Sequence, residues 1–212
     1  KTDVNITEEL QNKSLFKNQL LTDISGTKIH MVKQINDLLP NIRYVSTHPM
    51  AGREKVGYLN KDITMFKKAN FLIIETNTST LEDINLIEEM AQEIGFSRIT
   101  KLLPDSHDKL IAHTSQLTHL LAVALMLSDN NELTKEATGD SYRDLTRIAK
   151  INEVMWTELF MDNKDVLIDT TNNFINKLEE LKSLILNEQT LELKEELKKS
   201  KEKRISFDDF KN

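Results

Sequence analysis

The chain has 212 residues, of which 39% are hydrophobic and 29% charged, so it can bury a core and fits one large domain or two small ones. Only 5 Gly and 3 Pro argue against a turn-rich all-β protein and favour helices. The net charge of -6 argues against nucleic acid or anionic lipid as partners, and zero cysteines exclude a disulfide framework, a thiolate zinc site and a cysteine nucleophile.

An absence of cysteine suits a reducing, cytoplasmic setting. No stretch approaches 18 apolar residues, so no membrane span is expected. The first residues, KTDVNITEEL, show neither an initiator Met nor a signal-peptide pattern. The chain therefore reads as an internal portion of something longer.

Residues 1–20 are polar and helix-permissive. QLLTDISGTK reads as a short strand that turns at Ser-Gly and enters a helix over 28–38. IRYVSTHP is a second strand, expected to stop at Pro49, which cannot donate to a ladder. Residues 59–66 are ambiguous. FLIIETN is a third strand, and residues 81–94 carry apolar positions at helical spacing with Gly95 as C-cap. RITKLL is a fourth strand. Strands alternating with helices predict a parallel α/β layer. Such a layer usually opens on a glycine-rich phosphate loop, yet the five dispersed glycines form no G-x-G-x-x-G.

From Asp105 the pattern turns helical. Residues 105–128 predict one helix and 143–161 another. From Leu167 apolar positions step by four and three through Phe174, Leu178, Leu181 and Ile185, the stripe of a helix packed in a bundle or across a dimer. Residues 190–204 predict a solvated helix. The domain boundary is placed near Pro104, giving domains 1–104 and 105–212.

Three segments stand out by residue type. In Thr47-His48-Pro49-Met50-Ala51-Gly52-Arg53-Glu54, the proline holds its predecessor extended, which directs His48 at a strand end where α/β folds bind ligands. A neutral imidazole there can accept a proton. The competing reading is a surface turn with an incidental histidine. In the helix over 105–128, Asp108, Ala112, Ser115 and His119 are spaced to share one face, with Gln116 beside them. That polar stripe needs a wet cleft, or it is simply solvent-exposed. His107, His113 and His119 are six apart and turn to different faces, so no metal site is expected. In the third segment, Arg143 and Arg147 are spaced i, i+4 with Asp144 between them. They could grip carboxylates bidentately or merely form surface ion pairs.

Taken together and in order, HPMAGREKVG at 48–57, DSHDKLIAHTSQLTH at 105–119 and SYRDLTRIAKINEVMWTELFMDN at 141–163 resemble prephenate and arogenate dehydrogenases. The resemblance runs from about Leu21 to Phe207. It implies an α/β remnant of a Rossmann-type nucleotide-binding domain followed by an all-α helical dimerisation domain. It implies a homodimer and NAD as cofactor, with NADP not excluded. The implied reaction is oxidative decarboxylation of prephenate in tyrosine biosynthesis, with arogenate as the alternative substrate. A non-catalytic dimerisation or ligand-sensing module is a further alternative.

By the same resemblance, His48 is the catalytic partner of the substrate hydroxyl. Arg147 matches the arginine that grips the ring carboxylate, and His119 the histidine near the pyruvyl side chain. Gln116 and Trp156 are placed with the substrate, Trp156 as an aromatic reaching a neighbouring subunit's cleft. Glu54 and Asp144 match acidic residues that pair with arginine around the cleft. Thr27 and Pro49 are placed with the cofactor. His107 belongs to the family's His-Asp pair, without an assigned role. The family's Asp-x-Gly-Ser-x-Lys is here Asp23-Ile24-Ser25-Gly26-Thr27-Lys28, with Ser and Gly exchanged, so Ser25 or Thr27 is expected to replace the family serine. The residue before His119, usually Pro, is Thr118.

Overall fold

The computed structural model describes residues 19–52, 62–67 and 69–208. It divides into two compact units, 1–167 and 168–212.

The first unit opens on β1 (Leu20–Leu21), α1 (Ile29–Leu38), β2 (Arg43–Tyr44) and β3 (Ser46–Met50). A 3-10 turn, Ile63–Phe66, precedes β4 (Asn70–Ile74), α2 (Leu81–Ile94) and β5 (Arg98–Leu102). β1 pairs parallel with β2, and β4 parallel with β5. β3 and β4 run antiparallel, His48 opposite Leu72 and Pro49 opposite Phe71. The layer is therefore mixed rather than parallel throughout. β3 also runs one residue beyond Pro49. Backbone bonds from Val45 to Leu21 and from Thr47 to Asp23 continue the β1 pairing along the same extended segment.

The core of this layer follows from its β-branched and aromatic runs. Val45, Phe71, Ile73, Ile84, Ile87, Ala91 and Phe96 pack as one buried cluster between the sheet and α2. Burying one such side chain is worth about 1.5–3 kcal/mol. α2 starts with a capping box between Thr80 and Asp83, and it stops at Gly95, whose φ of 103° is the left-handed conformation that glycine adopts without strain.

The helical part begins with α3 (Pro104–Ile111), with proline at the first position where no N–H is needed. It continues through a π turn, Ala112–Gln116, into α4 (Leu117–Leu127). The π turn corrects one expectation. An extra residue in the turn rotates the rest of the helix by about 100° relative to a straight one. Asp108, Ala112, Ser115 and His119 therefore do not share one face. Pro104–Leu127 spans 24 residues and contains a window of mean hydropathy 1.5, so by length and composition alone it could cross a membrane, contrary to the expectation from apolar run length. Its polar residues His107, Asp108 and Gln116 are nonetheless buried within the protein.

α5 (Thr134–Ala137) and α6 (Asp140–Thr146) follow, then a 3-10 turn, Arg147–Ala149, and α7 (Glu153–Asp162). The single helix expected over 143–161 is thus broken between Arg147 and Asn152, and Arg147 and Arg143 stand on different elements. Asn152 caps the restart by accepting from the Met155 amide.

α8 (Lys164–Leu186) carries the apolar stripe. In the second unit its last turns and α9 (Thr190–Ser206) form a hairpin through Asn187–Gln189, where Glu188 has a φ of 53°. Lys177 on α8 reaches Glu196 on α9 at 4.0 Å.

Candidate active site

Two clusters gather the sequence-predicted residues, one before the π turn and one after it. The first starts from an ion pair. Lys28 has no exposed side-chain surface, and its ammonium donates to Asp23 Oδ1 at 2.7 Å, Ser25 Oγ at 3.1 Å and the Thr47 carbonyl at 2.7 Å. Asp23 also accepts from the Ser25 amide at 2.8 Å and Tyr44 Oη at 2.6 Å. Burial alone would raise the Asp23 carboxyl, but the Lys28 charge and the hydrogen bonds outweigh it and hold it below the usual carboxylate range. Burial, and then Asp23, push the Tyr44 phenol up.

Ser25, expected to replace the family serine, is held within this cluster. Its one hydroxyl proton faces Asp23 Oδ1 at 2.7 Å and the Thr27 carbonyl at 2.9 Å, and its oxygen accepts from Lys28. Ser25 is thus part of the ion-pair cluster. Gly26, where the family has serine, faces Leu159 of α7. A Cβ there would sit 2.8 Å from Leu159 Cδ2, so a serine would need that side chain to shift. Thr27 is buried.

His48 follows Thr47, whose carbonyl takes the Lys28 ammonium, on the same strand. His48 is half-buried, and its Nδ1 lies 2.8 Å from His107 Nε2. His107 is wholly buried, with its Nδ1 2.6 Å from Asp108 Oδ1. Asp108 in turn accepts from the Lys28 amide at 2.8 Å and the Ile29 amide at 2.8 Å. It thereby caps α1 from 79 residues away along the chain, where α1 has no side-chain cap of its own. Burial, with the neighbouring His107 ring and the Lys28 charge adding to it, depresses His48 to about 3. His48 is therefore a neutral imidazole at ordinary pH. Pro49 follows on the same strand, half-buried.

The second cluster is aromatic. His119 stacks on Trp156 with centroids 3.8 Å apart and planes inclined by 29°, and Phe160 lies 5.5 Å beyond. His119 Nδ1 is 2.9 Å from the Ser115 carbonyl, so that nitrogen carries a proton and Nε2 is turned elsewhere. Trp156, expected to reach a neighbouring subunit, here packs on its own chain's histidine. Gln116, expected with the substrate, is held in a buried bridge. It is 1% exposed, donates to the Leu159 carbonyl at 2.8 Å and accepts from Asn163 at 2.8 Å. Asn163 also donates to the Asp108 carbonyl at 3.0 Å. The Gln116 amide thus braces α7 and the start of α8 against the helix of His107.

Arg147 is exposed, on a turn packed against α4, the helix of His119. Arg143 pairs with Asp140 and donates to the Thr138 carbonyl at 2.8 Å. Asp144 is exposed and forms no ion pair among the described residues. Glu54 lies outside the described residues. Among those described, no group of three or more His, Asp or Glu could hold a metal ion. The role of His107 and Asp108 at His48 was missed in the sequence. Nothing local set them apart, since the same helix also carries Asp105, Ser106 and Lys109.

Known proteins resemble this chain in sequence and in fold. The family model described as the prephenate dehydrogenase nucleotide-binding domain matches residues 3–100, and that for the prephenate dehydrogenase dimerization domain matches 103–199. The prephenate dehydrogenase of Bacillus subtilis is 24% identical over 203 residues, covering 93% of this chain and 54% of the relative. The cyclohexadienyl dehydrogenase of Zymomonas mobilis is 27% identical, covering 92% of this chain and 68% of the relative. The chain thus spans about half the length of the Bacillus protein. The structure of A. aeolicus prephenate dehydrogenase in complex with hydroxyphenyl propionate and NAD+ superposes with a TM-score of 0.86 at 27% identity, over 97% of this chain and 73% of that one. Two domain models laid end to end over nearly the whole chain, on a matching fold, make it a member of the prephenate dehydrogenase family.

Proposed function

We propose that the intact protein oxidatively decarboxylates prephenate to 4-hydroxyphenylpyruvate with NAD. The observation that carries this reading is a half-buried, neutral His48 on β3, in a chain of this family. The substrate's ring hydroxyl gives up its proton as a hydride leaves the same carbon; when the ring carboxylate departs as carbon dioxide, the bonding pair aromatises the ring and the resulting phenolate takes the proton back. His48 accepts that proton, which a neutral imidazole can do. Arg147 grips the ring carboxylate, and His119, held flat by Trp156, meets the pyruvyl side chain. When bound, NAD supplies the hydride acceptor.

The described residues fit the nicotinamide end of the cofactor rather than its phosphates. Asp108 takes the Lys28 and Ile29 amides at the start of α1, and the capping box of α2 takes those of Thr80 and Asp83, so each N-terminus is already partly occupied. Pro49, the residue after His48, and Thr27, the residue before Lys28, are the residues assigned to the cofactor. The test is a steady-state assay of the intact protein with prephenate and arogenate, each with NAD and NADP. Turnover of prephenate with NAD is expected, and no turnover of either substrate would reject the reading in favour of a non-catalytic module. Arogenate as the better substrate is the second reading, favoured by the match to a cyclohexadienyl dehydrogenase.

Arg147→Lys is expected to raise KM for prephenate at least about tenfold, because an ammonium cannot reproduce a bidentate grip and 1.4 kcal/mol is a factor of ten. KM for the nucleotide stays within about twofold of wild type. Arg143→Ala, which removes an exposed pair with Asp140, should do much less. Equal damage from both variants would remove Arg147 from the site.

A homodimer is part of the same proposal, through the family's dimerization domain. The second unit exposes Leu178, Ile185, Leu186 and Leu191, an apolar set that a partner could cover. Sedimentation equilibrium at micromolar concentration should give twice the mass of one chain. A monomer across that range would reject the dimer.

We take the boundary between the two domains to lie near Pro104, at the proline that starts α3.

A further inference from the structure

We propose that His107, held by Asp108, is a positioning residue that decides which nitrogen of His48 carries its proton. This rests on the reading of His48 as the proton acceptor and adds a mechanism for how it is made ready.

The argument is one of donors and acceptors. Asp108 already accepts two backbone N–H groups, from Lys28 and Ile29. An ionised carboxylate only accepts, so the 2.6 Å contact with His107 requires the proton to sit on His107 Nδ1. In a neutral ring the other nitrogen then has a lone pair. His107 Nε2, 2.8 Å from His48 Nδ1, must accept, and His48 Nδ1 must donate. His48 Nε2 is left with an unshared pair, available to substrate. Proton location thus passes along three residues from a helix cap to the reacting nitrogen. His107 and Asp108 are buried, so water does not compete for these contacts. A cationic His107 would donate from both nitrogens and reverse the His48 tautomer, presenting an N–H where the acceptor is needed.

A purely structural alternative exists. Asp108 caps α1, and His107 could simply fill space beside it. The two readings differ in what they do to the His48 ring, and that ring can be observed directly. The intact protein is labelled with ring nitrogen-15 histidine, and two-bond proton–nitrogen correlations report the tautomer of each ring. His48 is assigned by its loss in His48→Asn.

The expected wild-type result is a proton on Nδ1 of His48. In Asp108→Asn, one oxygen still serves the two backbone donors and the amide NH2 faces His107. That reverses His107 and then His48, placing the His48 proton on Nε2. kcat is expected to fall ~10²–10⁴-fold with KM for prephenate changed less than about threefold, the size of a lost general base. If Asp108→Asn does not fold, His107→Leu and His107→Gln carry the test, since the α1 cap survives in both. The leucine variant removes the acceptor, mixes the His48 tautomers and costs about tenfold in kcat. The glutamine carbonyl can replace Nε2, and it should restore the Nδ1 tautomer and most of that loss.

A wild-type His48 protonated on Nε2 would overturn the proposal, as would a tautomer that stays unchanged in Asp108→Asn or in His107→Leu. A reversed tautomer with unchanged kcat would instead leave the relay standing and remove His48 from the chemistry.

Discussion

His48→Asn is expected to lower kcat of the intact protein by ~10²–10⁴-fold while KM for prephenate stays within a few-fold. Asparagine keeps the polarity and much of the shape at this strand position, so binding should survive. Its amide has no basic lone pair comparable to an imidazole nitrogen, so proton acceptance should not. The pH dependence follows from the depressed value of about 3. A base must be neutral to accept, and His48 is neutral above that value. Its contribution is therefore present through the whole range from about pH 5 to 8, where an ordinary histidine would titrate, and is lost only as pH falls through about 3. An acid limb in kcat/KM near pH 6.5 that disappears in His48→Asn would show the ring to be far less shielded than its burial indicates. Retention of more than about half of wild-type kcat would move the role elsewhere. Ser25 is poorly placed to inherit it, since its hydroxyl is held between Asp23, Thr27 and Lys28.

Lys28→Met should destabilise the protein by about 3–5 kcal/mol, the usual cost of leaving one partner of a buried ion pair alone. The lysine is fully buried and the aspartate is 15% exposed, so solvent screens little of the loss. The comparison pair is Lys33–Asp37 on α1, with side chains 72% and 62% exposed, where Lys33→Met should cost under about 1 kcal/mol. The pH dependence separates the causes. The folded-state pKa of Asp23 is depressed, so its contribution is complete above the unfolded carboxylate value and fades as pH falls through the lower folded value. In Lys28→Met the stranded carboxylate is instead relieved by protonation. The difference in unfolding free energy between the two proteins should therefore narrow below about pH 4. The double variant Asp23→Asn, Lys28→Met should recover part of the loss. A Lys28→Met protein as stable as Lys33→Met at pH 7 would show that the pair contributes nothing.

Much of the α/β layer was legible because its signals are local. The β-branched run at 70–74, the 3.6-residue spacing of 81–94 and the glycine at 95 each act within a few residues. The antiparallel turn of β3 against β4 was not legible, since an apolar run states that a strand exists and not which way its neighbour runs. The break after α6 was missed because Arg147 to Lys150 keep helix-compatible residue types throughout. At the site, His48 could be singled out from the proline that follows it. The contact that prepares it could not. His48 and His107 are 59 positions apart, and the cap that orients His107 joins Asp108 to Ile29 over 79. Gln116 and Ser25 were placed at the cleft through the family resemblance, which says nothing of the bonds that hold them, to Leu159 and Asn163 and to Asp23, Thr27 and Lys28.

The π turn at Ala112–Gln116 has a consequence for heredity. It holds one residue more than a straight helix would need, while the segments on either side keep separate duties, His107 and Asp108 before it and His119 after it. A gene that loses one codon from this stretch closes the turn into ordinary helix and leaves both flanks aimed as they were. The same loss from Leu117–Leu127 would swing one flank by about 100° against its neighbours. Insertions and deletions along this helix should therefore be tolerated at one spot, and chain-length differences among related genes should collect between His113 and Gln116.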